Sequence, residues 1–132
     1  MQMPYNGSIF RLDLFGQFPT LMHYRGVGGF EALTKALSLP PEAIIEEIAT
    51  AGLRGRGGAA FSSGAKMRMV YDNAEQVRYI ICNADEGEPG TFKDRFIMTH
   101  LPFQLLEGMI IAAYAAGAQK GYIYIRHEYP EA

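Results

Sequence analysis

Residues 53–66 read LRGRGGAAFSSGAK, with Gly55, Gly57, Gly58 and Gly64 loosening the backbone while Arg54, Arg56 and Lys66 supply positive charge. Glycine takes conformations closed to other residues, so such a loop can aim successive N–H groups at one anion. Without side chains, the same stretch lets a flat ring or a phosphate come close to the main chain. Ser62 and Ser63 add hydroxyls that suit the start of a helix, whose amino end also attracts phosphate. Two common templates fit poorly. A phosphate-binding P-loop needs Lys directly after the last glycine and then Ser or Thr, whereas Ala65 follows Gly64 and Met67 follows Lys66. Gly55, Gly57 and Ala60 match the spacing of a dinucleotide fingerprint, but a helical pattern precedes them where that fingerprint needs a strand. Anion or nucleotide binding thus stands beside a plainer reading, a surface loop that uses glycine for turning.

A second group of candidates lies in residues 83–95, NADEGEPGTFKDR. Asp85, Glu86 and Glu88 crowd together there, and carboxylates so close repel one another. Chemistry that rewards this crowding is either a hard cation or a ligand offering hydroxyls, ring N–H groups or an amide. The loop lacks the ligand spacing of a calcium hand. A solvated acidic turn is the third possibility. Any phosphate would belong to the glycine loop, not to these carboxylates.

The elements that must position both loops are legible from periodicity. Residues 1–25 are broken by Pro4, Gly7, Gly16 and Pro19 and read as a loop-rich lead-in. Phe30, Leu33 and Leu37 share one face of a helix over 29–37. Pro41 opens a second helix with Ile44, Ile45 and Ile48 as its apolar stripe, and Gly52 suits its end. Residues 65–71 read as a third helix. The run VRYIIC over 77–82 is a strand, 83–94 a polar loop, 102–116 a helix begun by Pro102, and GYIYIR over 121–126 a second strand. Strand, helix and strand in that order predict a parallel βαβ unit. In such sheets ligands sit beyond the carboxyl ends of strands, where the acidic loop begins.

Composition narrows the alternatives. The chain has 132 residues, 48% apolar and 20% charged, which suits one globular domain. Its net charge of -2 argues against nucleic acid, since phosphate-driven binding needs a basic excess. The single cysteine, Cys82, can neither close an internal disulfide nor hold an iron–sulfur cluster alone, and suggests a reducing compartment. No secretory signal is visible at the start, and residues 101–118, interrupted by Gln104 and Glu107, read as a buried helix.

Both loops together, at this separation, resemble the NADH-oxidising FMN and iron–sulfur flavoprotein subunit of respiratory complex I. The parallels are GLRGRGGAAFSSGAK at 52–66, ICNADEGEPGTFKDR at 81–95, LPFQLLEGMIIAAYA at 101–115 and GYIYIRHEYPEA at 121–132. The resemblance runs from Gly28 onward and implies an α/β fold: N-terminal helices followed by a partial Rossmann-like FMN-binding domain. It divides the chain into an irregular lead-in, 1–27, and the N-terminal part of an FMN/NADH-binding domain, 28–132. It implies FMN as cofactor and NADH as hydride donor, with the flavin carrying the chemistry. It gives Gly55, Arg56, Gly57, Gly58, Lys66, Asn83 and Asp85 to FMN, and Phe61, Glu86 and Glu88 to NADH, with no metal ligand among them. Flavoprotein subunits of NAD-linked hydrogenases and formate dehydrogenases share these motifs. So the parent is expected to be a quinone-linked NADH dehydrogenase or one of those enzymes, and the chain an N-terminal fragment, inactive or nucleotide-binding by itself. A 4Fe–4S cluster is expected only in the missing C-terminal part. Partners are expected among subunits of an electron-transfer complex on the cytoplasmic side, with no nucleic acid and no direct membrane contact. Departures from the family pattern are Ala60 for glycine, Ser62 for proline, Met67 and Met69 for aromatics, and His127 for glycine.

Overall fold

The computed structural model describes residues 20–132, so most of the lead-in lies outside the described residues. The part that is described begins with a helix instead of a loop. Thr20 caps α1 (Leu21–Gly26), its hydroxyl accepting from the His23 N–H at 3.1 Å. The helix buries one residue, Tyr24. Gly29 lies so close beneath that ring that a Cβ there would sit 2.1 Å from it. α2 (Glu31–Leu37) follows Phe30, which holds a left-handed conformation at φ 67°.

α3 (Pro41–Thr50) starts on proline and stops at Gly52, whose φ of +65° closes the helix. The Gly52 N–H donates to Ala49 and the Leu53 N–H to Ile48, the paired closure that left-handed glycine permits. α4 (Ser63–Tyr71) is capped by Ser62, whose hydroxyl accepts from the Ala65 N–H at 3.3 Å. β1 (Tyr79–Ala84) leads to α5 (Lys93–His100), α6 (Pro102–Ala116) and β2 (Lys120–Ile125). α6 ends on Gly117 at φ 71°.

The two strands pair in parallel, Tyr79 opposite Lys120 and Ala84 opposite Ile125, as the βαβ pattern requires. Ile80, Cys82 and Ala84 face the α6 side; Met109 of that helix reaches toward Gly121, the partner of Ile80. Tyr79, Ile81, Tyr122 and Tyr124 line the other, exposed face. The main core joins Ala36, Ile44, Ile45 and Ala115, with Ile48, Met67, Tyr71, Ile111 and Tyr114 against it. A second cluster sets Tyr24 on Leu101, Phe30 and Phe103. The helices thus form one layer around α6, and that layer presents both loops. Among the described residues no single helix is long and apolar enough to cross a membrane.

Candidate functional site

The glycine loop is pinched at its base and free at its tip. The Gly55 N–H donates to Phe61 O at 2.9 Å and the Ser63 N–H to Leu53 O at 2.9 Å, while Arg54 Nη1 reaches Ala60 O at 3.1 Å. Between these ties, the N–H groups of Arg56, Gly57, Gly58 and Ala59 donate to no acceptor among the described residues. All of residues 51–61 are exposed. Gly58 takes φ +103°, and a Cβ at Gly57 or Gly58 would meet nothing within 4 Å. Arg56 and Lys66 are exposed and form no ion pair among the described residues. Phe61 is half-exposed at the loop's return. Ala60, at φ 50°, carries a methyl group where the family pattern has glycine, a left-handed placement costing on the order of 1 kcal/mol. Met67 turns into the core and Met69 faces out, so the substituted aromatic positions divide between packing and surface.

The acidic loop leaves β1 through a tight turn, in which Asn83 Oδ1 accepts from the Asp85 N–H at 3.2 Å. Asp85 and Glu88 are exposed, and their carboxylates make no hydrogen bond or ion pair among the described residues, although the Arg126 charge lies near enough to Asp85 to act on it. Glu86 is different. It is 4% exposed, and its carboxylate accepts from the N–H groups of Asp94 at 2.9 Å and Arg95 at 3.3 Å. These are first-turn donors of α5, which has no cap from its own neighbours. Tyr129 Oη donates to the same carboxylate at 3.4 Å, and Arg126 Nη1 donates to the Glu86 carbonyl. The structure therefore brings Glu86 together with Arg126 and Tyr129, two residues that sequence reasoning misses. Their one signal is the polar segment that follows the second strand. A hollow of about 270 Å³ opens beside them, lined by Arg95, Thr99, Glu128 and Tyr129.

Burial pushes the Glu86 carboxyl up, but the two N–H donors, the Lys93 charge and the Tyr129 hydroxyl outweigh it and leave it below the ordinary 4.5. A carboxyl lowered in the folded state contributes stability that is complete above its unfolded value and lost as pH falls through the folded one. Glu42 and Glu128 are lowered as well, Glu128 to about 2 by the Arg126 fork, so the wild-type slope is composite. Replacing Glu86 by Gln is therefore expected to flatten the loss of stability below pH 4.5 without abolishing it. Urea unfolding at pH 7 and at acid pH measures this; identical slopes for the two proteins would show that Glu86 contributes nothing.

The two loops share no hydrogen bond or ion pair among the described residues; what links them is the framework. Arg78, just before β1, donates to Asn73 O at 2.8 Å and Ala116 O at 3.3 Å, and its guanidinium lies 5.9 Å from the Tyr71 ring. The carboxyl ends of α4 and α6 thus meet at the amino end of β1. The glycine loop sits at the opposite end of α4, roughly 12 Å away along the helix axis. The acidic loop leaves the opposite end of β1.

Residues 48–132 match the family described as the Nuo51 FMN-binding domain. The NADH-quinone oxidoreductase F subunit of Escherichia coli is 50% identical over 114 residues, 85% of this chain and 26% of that protein. The corresponding F subunit of Aquifex aeolicus is 55% identical over 103 residues, 78% of this chain and 24% of that protein. The alpha subunit of the NAD-reducing hydrogenase HoxS of Cupriavidus necator is 55% identical over 97 residues, 74% of this chain and 16% of that protein. A crystal structure of an NAD+-reducing [NiFe]-hydrogenase superposes with a TM-score of 0.73 at 46% identity, covering 85% of this chain and 20% of that one. The chain spans about a quarter of the length of the NADH-quinone oxidoreductase relatives. With a family match over residues 48–132 and these identities, the chain belongs to the Nuo51 FMN-binding domain family.

Proposed function

We propose that this chain forms one wall of an FMN site in an NADH-oxidising component of a multi-subunit electron-transfer complex. The observation that carries the reading is the glycine loop: N–H groups without acceptors and the cations Arg56 and Lys66 without ion pairs among the described residues. That donor set fits a phosphorylated, flat ligand. The loop surface is open at Gly57 and Gly58, where a side chain would stand in the ligand's path. FMN, when bound, accepts a hydride from a reduced nicotinamide and releases electrons one at a time.

The residues divide the remaining work. Gly55, Arg56, Gly57, Gly58 and Lys66 bind the anionic and ring portions, while Asn83 and Asp85 accept from ring N–H and chain hydroxyl groups. Phe61 and Glu88 hold NADH. Glu86 belongs to the NADH side chiefly by fixing the loop that carries Glu88, since its own carboxylate is occupied by α5. α4 supports the shared-site reading, because its direction sends the glycine loop away from the strand's amino end. Cys82 is the only cysteine, so a 4Fe–4S cluster belongs to further length of the parent protein. The parent works at the cytoplasmic face of a membrane complex, touching other subunits and not the bilayer. A hydrogenase parent is the second reading, supported by the HoxS likeness and the hydrogenase superposition. It assigns this segment the same task.

Titration of the chain with FMN, followed by flavin fluorescence, tests the proposal. Weak, saturable binding is expected, since the chain spans only part of its relatives. Lys66→Ala is expected to weaken it about tenfold, the loss of one charge-assisted hydrogen bond. Gly57→Val is the sharper probe: with nothing within 4 Å of its Cβ, it should leave the melting temperature in place while blocking FMN. Unchanged affinity in both variants, or no saturable binding by the wild type, would refute the assignment.

A further inference from the structure

Resting on the flavin reading above, we infer that Arg126 is a positioning residue that locks the acidic loop at the exit of the sheet. Ala84 and Ile125 are the last paired residues of β1 and β2, so Arg126 leaves β2 level with Asp85 leaving β1. Its guanidinium crosses the gap. Nη1 donates to the Glu86 carbonyl, while Nε at 2.9 Å and Nη2 at 2.7 Å grip both carboxylate oxygens of Glu128. The Tyr129 ring lies 5.5 Å from the guanidiniums of both Arg126 and Arg95. Glu86 is thus held at both ends, its carbonyl by Arg126 and its carboxylate by the first turn of α5.

This closed circuit lies between Asp85 on one side and Glu88 on the other, exposed carboxylates that make no hydrogen bond or ion pair among the described residues, with Asp85 also within the field of the Arg126 charge. Ligands in parallel sheets sit at this edge, where main-chain pairing stops and a loop must be held by other means. Only arginine suits the task. A planar fork of five donors serves a carbonyl and a carboxylate at once, whereas lysine offers a point charge on a flexible stem.

The test uses the full chain and the variants Arg126→Ala, Arg126→Lys and Glu128→Ala. Three quantities are read: amide hydrogen exchange at Asp94 and Arg95, whose N–H groups report the Glu86 bonds; FMN affinity by fluorescence; and melting temperature. In Arg126→Ala, exchange at those two amides should accelerate while the β1 amides keep their rates. FMN affinity should fall about tenfold, as expected for losing a charge-assisted hydrogen bond that orders the loop. Glu128→Ala should show the same pattern more weakly, and Arg126→Lys should recover only part of it. Uniformly faster exchange that includes β1 would reduce Arg126 to general stability and overturn the inference. So would unchanged rates at Asp94 and Arg95, or faster loop exchange with unaltered FMN affinity. Failure of the wild type to bind FMN sinks the flavin reading instead, and the exchange rates still decide whether Arg126 holds the loop.

Discussion

Replacing Glu107 by alanine is expected to destabilise the chain by about 3–5 kcal/mol, because three hydrogen-bond donors lose a charged acceptor at roughly 1–3 kcal/mol each. Glu107 is 7% exposed, in the middle of α6. One carboxylate oxygen accepts from the Tyr24 hydroxyl and from the Phe30 N–H at 2.9 Å; the other accepts from the Leu33 N–H at 2.9 Å. A single side chain therefore gathers α1, the αL residue before α2, and α2 itself onto α6. Alanine would take this acceptor from all three donors, the buried Tyr24 hydroxyl and the part-buried N–H groups of Phe30 and Leu33. It would also release Phe30, and relief of its left-handed conformation, on the order of 1–3 kcal/mol, would offset part of that loss. Burial and the Glu107 carboxylate together push the Tyr24 phenol above its usual range, so Tyr24 remains a donor throughout the accessible pH range. Glutamine keeps one acceptor and turns the other oxygen into a donor facing a donor, so Glu107→Gln should lose roughly half as much. Urea unfolding followed by circular dichroism measures both. A loss below about 1 kcal/mol for the alanine variant would mean that α1 and α2 do not depend on this carboxylate.

What sequence reveals here is local. Pro41 and Gly52 bracket α3 because proline at a first turn and glycine past an end act through their own dihedral limits. The serine after the glycine loop does cap α4, as its hydroxyl suggests. The first strand, expected over 77–82, instead runs Tyr79–Ala84. Its register is fixed by Lys120–Ile125 far along the chain, and pairing with Tyr124 keeps Asn83, a turn-forming residue, in the ladder. α5 has no comparable sequence signal. It lacks a cap of its own, and the group that satisfies its first turn is Glu86, which resembles a ligand contact because sequence cannot show a side chain folding back on its own loop. α1 has a legible signal in Thr20, hidden by the glycines and prolines before it. The site is visible as two loops of unusual composition. The anchoring of the acidic loop by Arg126, forty residues after Glu86, is not, because only the parallel pairing brings the two strand ends level.

Gly64→Ala tests whether the helix layer sets the glycine loop. A Cβ at Gly64 would lie 2.7 Å from the N, Cα and Cβ of Ala49, where α4 crosses α3. Two of those three atoms are main chain, so no rotamer change relieves the overlap and the helices must separate. Overpacking of this kind costs about 1–3 kcal/mol, and the upper part of that range is expected because the obstacle cannot yield. Ala49→Gly in the same chain should rescue little, since it removes only one of the three atoms. Gly108→Ala is the control: nothing lies within 4 Å of a Cβ there, and alanine within α6 should add about 0.5–1 kcal/mol of stability. Calorimetric melting of the three proteins separates these signs. The consequence reaches the ligand, because Gly64 directly follows the Ser63 N–H that closes the loop's base on Leu53 at 2.9 Å. Moving α4 outward drags that closure with it, so Gly64→Ala should weaken FMN binding by more than Lys66→Ala, although Gly64 needs no contact with the flavin. If Gly64→Ala melts early but binds FMN as the wild type does, the loop holds its shape without the helix, and its geometry is a property of residues 55–62 alone.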